Sequence, residues 1–159
     1  MKKVSLPLCI ADEPRISSFD FSKRVTVRVS LANPGAEDLA NELANSFAGL
    51  TVSTAEAADD ATHMLLYLNE DTFVSDERLA EQVKQARADR LPIVLVHEND
   101  PALGGCPFDY FFQTTPQELI AGLDGHAGLY KALAMSFFPG AHREARPPLA
   151  QSPPPTISR

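Results

Sequence analysis

The sequence predicts a layered α/β domain built on a parallel β-sheet, and three features of one stretch support this. Two short, continuous apolar runs occur in it, Met64–Leu68 and Pro92–Val96. Continuous apolar runs are typical of strands covered on both faces, as in parallel sheets. The amphipathic segment between them is long enough for a crossover helix, and such crossovers are almost always right-handed. Functional loops of such a domain lie at the carboxyl ends of the strands.

Composition narrows the class of protein. The chain has 159 residues, 44% hydrophobic and 22% charged, which is typical of a soluble globular protein with room for one core. Its formal net charge is -7, and Lys and Arg form no dense cluster. We therefore expect neither nucleic acid nor an anionic membrane as partner. The two cysteines, Cys9 and Cys106, are far apart in the sequence, which fits a reducing compartment. No apolar run is long enough to cross a bilayer. We therefore expect a cytoplasmic protein.

The first predicted strand and helix occupy residues 25–47. Val25–Leu31 alternates valine with polar residues, which predicts an edge strand with one exposed face. A turn over residues 33–35 leads into a helix over residues 36–47. The apolar residues of this helix recur at every fourth position, which predicts one buried stripe: Leu39, Leu43 and Phe47.

Strands and helices continue to alternate up to residue 96, as a parallel sheet requires: a strand at Leu50–Thr54, a short helix or turn over 55–62, a strand at Met64–Leu68, a helix over 75–89 and a strand at Pro92–Val96. Ser75 is a favourable N-cap for the second long helix. Beyond these, FDYFFQTT predicts a short fifth strand that ends at Thr115. Helical segments are predicted in PQELIAGL and again in LYKALAMSFF.

The two ends of the chain differ from its middle in composition. Residues 1–23 are predicted to be a loosely ordered lead, and residues 24–143 to be the α/β domain. Residues 144–159 contain five of the 13 prolines and almost no large apolar residues. Such a segment cannot bury enough surface to offset its ordering entropy, so we predict a disordered Pro-rich tail.

Phosphate-binding signatures are the first candidates for a site. Neither GxxxxGK[ST] nor GxGxxG occurs. The nearest anion site is the loop after the first strand, with Ser30 and Asn33 before a helix N-terminus. Glu37 and Asp38 lie where the phosphate would bind and would repel it, so a plain strand-to-helix turn is favoured.

His97 follows the fourth strand at the edge where sites usually form. It has only adjacent acidic residues beside it and no spaced second histidine, so we predict no metal site. Instead, its imidazole is expected to bond the backbone of a neighbouring loop. Cys106 lacks a helix N-terminus to lower its pKa and is expected to be a small buried hydrophobe.

The helix after the third strand presents two candidate side chains to different surroundings. At about 100° per residue, Leu79, Val83 and Ala86 share one core-facing side. Glu81 then points away from the core into water. Gln82 lies on the flank of the apolar stripe, where a side chain can line a cleft.

The order of these elements, together with HMLLYLNEDTF, PIVLVHEND and FDYFFQTTPQELI, resembles a TIR (Toll/interleukin-1 receptor) domain. It is most similar to the divergent TIR-like modules of large algal and protist proteins, over roughly residues 25–143. The resemblance implies a three-layer, flavodoxin-like parallel sheet of four to five strands with helices on both faces. It also implies protein partners, either other TIR-like domains or a second copy of the chain.

Enzymatic members of that family cleave NAD with a glutamate on the helix after the third strand. Matched on Val83 and Ala86, this position holds Gln82 here. Glutamine cannot stabilise a cationic ribosyl transition state as a carboxylate does. Two further departures are a first-strand motif reduced to Ser30 and a very short loop after the second strand.

Two functional hypotheses from different classes follow. The first is a noncatalytic TIR-like interaction and signalling module that needs no cofactor. The alternative is an enzyme that cleaves NAD as its substrate, or a nucleotide-binding domain. The residues of that site would be Ser30, Asn33, Asn69 and His97, with Glu81 or Gln82 as the catalytic group. The Pro-rich end also keeps open a third expectation, that the chain is a truncated piece of a larger protein.

Overall fold

The computed structural model describes residues 23–55, 60–122, 127–132 and 134–137. Its strands form one sheet in the order β2-β1-β3-β4-β5, and every neighbouring pair is parallel. The strands are β1 (Val25–Arg28), β2 (Leu50–Ser53), β3 (His63–Leu68), β4 (Ile93–Glu98) and β5 (Met135–Phe137). The helices are α1 (Ala36–Ser46), α2 (Arg78–Ala88), α3 (Phe111–Thr114) and α4 (Gln117–Ala121). The predicted three-layer α/β fold with flavodoxin-like strand order is confirmed.

The centre of the sheet is the pair formed by β3 and β4. Met64 pairs with Ile93, and the parallel register continues to Leu68 opposite His97. Leu66 packs with residues of α2 and α4, whereas Leu65 packs with residues of α1. Burying one such aliphatic side chain contributes about 1.5–3 kcal/mol. The predicted strand–helix–strand unit is therefore confirmed, with a core on each face of the sheet.

Helix α2 covers one of these faces, and its predicted apolar stripe is confirmed because Leu79, Val83 and Ala86 are fully buried. The predicted start of the helix was wrong. Phe73 has a φ of 65°, so the chain is still turning as it passes Ser75. Helix α2 begins at Arg78 with Glu77 in the N-cap position, and the N–H of Arg78 donates to Oδ1 of Asp76 at 2.9 Å.

The prediction that β1 is an edge strand with an exposed polar face was also wrong. β1 lies between β2 and β3, and its polar residues Thr26 and Arg28 are buried. The N–H of Thr26 donates to Oγ1 of Thr62 at 3.1 Å. The polar residues that alternate with valine in β1 therefore lie on a buried face and bond to other protein groups. The edge strands of the sheet are β2 and β5.

In the last part of the chain the predicted helix in PQELIAGL is confirmed as α4, but two other predicted elements were wrong. The expected strand before Thr115 is a 3-10 turn at Phe108–Tyr110 followed by α3, because its aromatic rings pack together at helical spacing. The fifth strand forms instead inside the segment predicted to be helical. Met135–Phe137 pairs with the free edge of β4, so the sheet overrides the local helical preference.

Some predictions lie outside the described residues. These are residues 1–22 of the lead, residues 56–59 of the short loop after β2, and the tail at residues 144–159. No helix within the described ranges is long and apolar enough to span a bilayer.

Candidate functional site at the carboxyl edge of the sheet

The chain leaves β1 towards β2 on one side and leaves β3 towards β4 on the other. Ligands of such sheets bind where the strand order reverses, at the carboxyl ends. A cavity of about 420 Å³ opens there between the end of β1 and α2, and we call it the switch-point cavity. Its size is in the ordinary range for small-molecule sites. Its polar side chains are those of Arg28, Ser30, Thr54, Arg78, Glu81, Gln82 and Gln85.

Ser30 and Gln82 meet inside this cavity. The Ser30 hydroxyl donates to Oε1 of Gln82, and its oxygen accepts the N–H of Ala32 at 3.0 Å. The predicted cleft-facing position of Gln82 therefore agrees with its place in the cavity wall. The Ser30 hydroxyl and Oε1 of Gln82 are therefore engaged with protein atoms.

Glu81 lies at the rim of the same cavity, with its side chain 74% exposed. Its Oε1 is 2.7 Å from Nζ of Lys84, which also contacts Oε1 of Glu118 at 2.7 Å. The carboxylate of Glu118, and after it that of Glu81, raises the pKa of Lys84 above its ordinary value. Glu81 thus points to water, as the helical spacing predicts, and an ammonium group offsets its charge.

Two arginines complete the cavity, and no sequence motif singles them out. Arg28 is buried, and its Nη2 lies 3.9 Å from Sδ of Met64. Arg78 bonds the carboxylate of Asp76, with Nε 3.0 Å from Oδ2, and so holds the pKa of that carboxyl below its usual value. The available signal for Arg28 was its spacing, because it lies two residues before Ser30 and shares its face of the strand.

Asn33 was predicted to bind a ligand, but its side-chain amide is engaged by the main chain of Tyr67. Its Nδ2 donates to the Tyr67 carbonyl at 2.8 Å, and its Oδ1 accepts the Tyr67 N–H at 2.8 Å. The two ladder pairs between β1 and β3 lie before this point, at Val27 and Arg28. Asn33 therefore continues the pairing where the two strands diverge.

Asn69 ties together the loops that follow β1 and β3. Its Nδ2 donates to the carbonyl of Pro34 at 2.8 Å. Its Oδ1 accepts from the N–H of Asp71 at 3.1 Å and from the hydroxyl of Thr72 at 3.2 Å. This buried amide, like that of Asn33, positions backbone.

His97 bonds the backbone of a neighbouring loop, as predicted, since its Nε2 lies 2.7 Å from the carbonyl oxygen of Cys106. Its ring meets the edges of Phe108 and Phe111 with centroids 5.4 Å apart in each pair. Burial, followed by the charges of Glu70 and Asp109, raises the pKa of the Cys106 thiol. A thiol that stays protonated is a weak nucleophile.

Glu98 is a fully buried carboxylate that the sequence did not single out as a site residue. It accepts the hydroxyl of Tyr67 and, through Oε1, the N–H of Asp100 at 2.7 Å. Its side chain lies on the α1 face of the sheet, opposite to the switch-point cavity, because Glu98 alternates with His97 along β4. Its bonds hold β3, β4 and the following loop together.

The predicted site residues thus separate into two groups. Ser30, Gln82 and Glu81 line one cavity, while Asn33, Asn69 and His97 each bond backbone. Three apolar side chains at the same edge were not predicted as site residues: Leu31, Val74 and Leu103 are 68%, 57% and 54% exposed. They belong to the loops after β1, β3 and β4, which are neighbours in the sheet. Across the ranges that the structure describes, no three His, Cys, Asp or Glu side chains are grouped for a metal ion.

Comparison of the chain with family models, with curated proteins and with solved structures finds no match.

Proposed function

We propose that this chain is a noncatalytic, TIR-like interaction module of a cytoplasmic signalling assembly, and that it associates with a second copy of itself. The observation that carries the proposal is the set of exposed apolar side chains Leu31, Val74 and Leu103 on three adjacent loops of the carboxyl edge. Exposed apolar side chains on neighbouring loops favour association with another protein.

The polar groups of the same edge support this proposal over a catalytic one. Asn33 and Asn69 are buried and bonded to backbone, and Ser30 is bonded to Gln82. Gln82 occupies the position at which the resemblance to TIR enzymes requires a glutamate. Leu31, Val74 and Leu103 remain accessible to a partner at this edge.

The self-association can be tested by sedimentation velocity over a range of protein concentrations. We expect a reversible dimer or larger species whose dissociation constant rises when Leu31 and Val74 are both replaced by Asp. The expected change is on the order of tenfold per side chain, because about 1.4 kcal/mol of apolar burial is lost at each position.

Met135→Asp is the matched control, since Met135 is 52% exposed but belongs to the edge strand β5 and not to the loops after β1, β3 and β4. This variant should associate as the unmodified chain does. A chain that stays monomeric at every concentration, or a loss of association equal in the control, would contradict the proposal.

The second candidate function is NAD cleavage, and the switch-point cavity is the observation that favours it. Arg28, Arg78 and Glu81 line a cavity at the place where nucleotides bind in this class of fold. Cleavage would require a carboxylate near the ribose, and Glu81 is the carboxylate of the cavity wall.

We expect purified chain incubated with NAD at high protein concentration to release no nicotinamide above the background rate. Chromatographic quantification of nicotinamide measures this. Glu77→Ala is the matched control for Glu81→Ala, because Glu77 is an exposed glutamate that does not line the cavity. Turnover that survives Glu77→Ala and disappears in Glu81→Ala would establish the enzyme and overturn the noncatalytic proposal.

A further inference from the structure

A second depression, which we call the α1 groove, lies on the opposite face of the sheet from α2. It has a volume of about 780 Å³, and its apolar wall includes Leu43, Phe47 and Phe137. All three side chains are only half-buried. Leu43 and Phe47 belong to the stripe whose spacing predicts burial, but only its first member, Leu39, is buried. The apolar face of α1 therefore continues beyond the core and into the groove.

The charged side chains that line the α1 groove are all acidic. They are Asp38 and Glu42, one helical turn apart on α1, and Asp71 from the loop after β3. All three are exposed. An apolar wall with acidic charges along it fits an occupant that is partly apolar and carries positive charge.

The chain itself supplies such a segment directly after β5. Phe137, the last residue of β5, lines the groove. It is followed by Phe138, by the turn-favouring pair Pro139-Gly140, and by Arg143 and Arg146, which outweigh the one acidic residue between them, Glu144. Strand β5 is parallel to β1 and α1 runs back from the carboxyl edge, so a chain that reverses after β5 would have the direction of α1.

We propose that residues 138–147 of this chain dock in the α1 groove, with Phe138 against its apolar wall and Arg143 and Arg146 beside Asp38 and Glu42. The distances allow it. The 11 residues of α1 span about 16 Å, and six extended residues reach about 20 Å. The groove also includes Asp71 and Leu103 of the carboxyl-edge loops, so its occupant would lie beside the surface proposed for self-association.

Hydrogen exchange of the full chain, followed by mass spectrometry, tests the docking through the backbone amides of residues 138–147. We expect these amides to be protected, and equally so at two protein concentrations tenfold apart. Replacing Arg143 and Arg146 by Glu should accelerate their exchange by roughly two- to twentyfold, the range that two surface ion pairs give. Glu42→Arg should accelerate it too, and the three changes combined should restore protection.

Glu37→Arg is the matched control, because Glu37 is exposed in the same turn of α1 as Asp38 but does not line the groove. It should leave the exchange of residues 138–147 unchanged. Amides that exchange at the unprotected rate in the unmodified chain would overturn the proposal. Protection that rises with protein concentration would also overturn it, because a second copy would then occupy the groove.

Discussion

Gly35→Ala is expected to lower the free energy of unfolding by about 2–4 kcal/mol, because two separate costs add at this position. Gly35 has a φ of 79°, in the left-handed region that L side chains rarely adopt. A Cβ there would also lie 2.8 Å from Cε1 of Tyr67. The Tyr67 ring cannot move away freely, because its hydroxyl donates to the carboxylate of the buried Glu98. Urea unfolding followed by circular dichroism measures the loss.

Gly104→Ala separates the two costs. Gly104 has the same φ of 79°, but its added Cβ would make ordinary contacts, with Cγ of the exposed Glu70 at 3.4 Å and Cβ of Asn69 at 3.6 Å. Its expected loss is the backbone strain alone, about 1–2 kcal/mol. If both variants lose the same stability, the Tyr67 ring yields to the methyl group, and the close approach of β3 to the start of α1 is not a constraint.

The parts of the fold that the sequence predicts are those whose signal is local. Met64–Leu68 is a continuous apolar run, and Leu79 and Val83 repeat at helical spacing. In both elements the local pattern of apolar residues is enough to predict burial. The parallel pairing of β3 and β4 then follows from the single helical crossover between them.

The parts that the sequence does not predict depend on residues far away along the chain. Arg28 is buried because β1 has a neighbour on each side, and its alternating pattern alone suggests exposure. Met135–Phe137 becomes a strand only because the edge of β4 is free to pair. The local sequence contains neither fact, so the edge position predicted for β1 and the helix predicted over Met135–Phe137 were both wrong.

In the candidate site, too, the sequence predicts the positions that depend on local spacing and misses the contacts that depend on distant residues. Helical spacing was enough to place Gln82 in a cleft and Glu81 towards water. Polar residue type alone suggested that Asn33 and Asn69 bind a ligand, whereas the structure uses the two amides for backbone that lies 34 and 35 positions away along the chain. In the sequence, an asparagine whose buried amide bonds to backbone cannot be distinguished from an asparagine whose amide binds a ligand.

Asn33→Asp separates these two roles of a buried amide, because it keeps the shape of the side chain and removes its donor. One carboxylate oxygen can still accept the Tyr67 N–H, but the other would face the Tyr67 carbonyl, which Asn33 Nδ2 now bonds at 2.8 Å. We expect the free energy of unfolding at pH 7 to fall by about 2–4 kcal/mol, the cost of a buried charge against an acceptor. Asn41→Asp, at an exposed position of α1, is the matched control and should change little.

The pH dependence gives the Asn33→Asp variant its distinguishing signature. When the introduced carboxyl group is protonated it can again donate to the Tyr67 carbonyl, so the folded state favours the protonated form and the pKa of this group lies above its unfolded value of about 4. The destabilisation relative to the unmodified chain is therefore full above the folded pKa and shrinks as the pH falls towards the unfolded one. Chemical unfolding of both proteins at pH 7 and pH 4.5 measures it. A loss of unfolding free energy that is small and independent of pH would mean that the backbone does not need the Asn33 amide. The amide would then be available to bind a ligand.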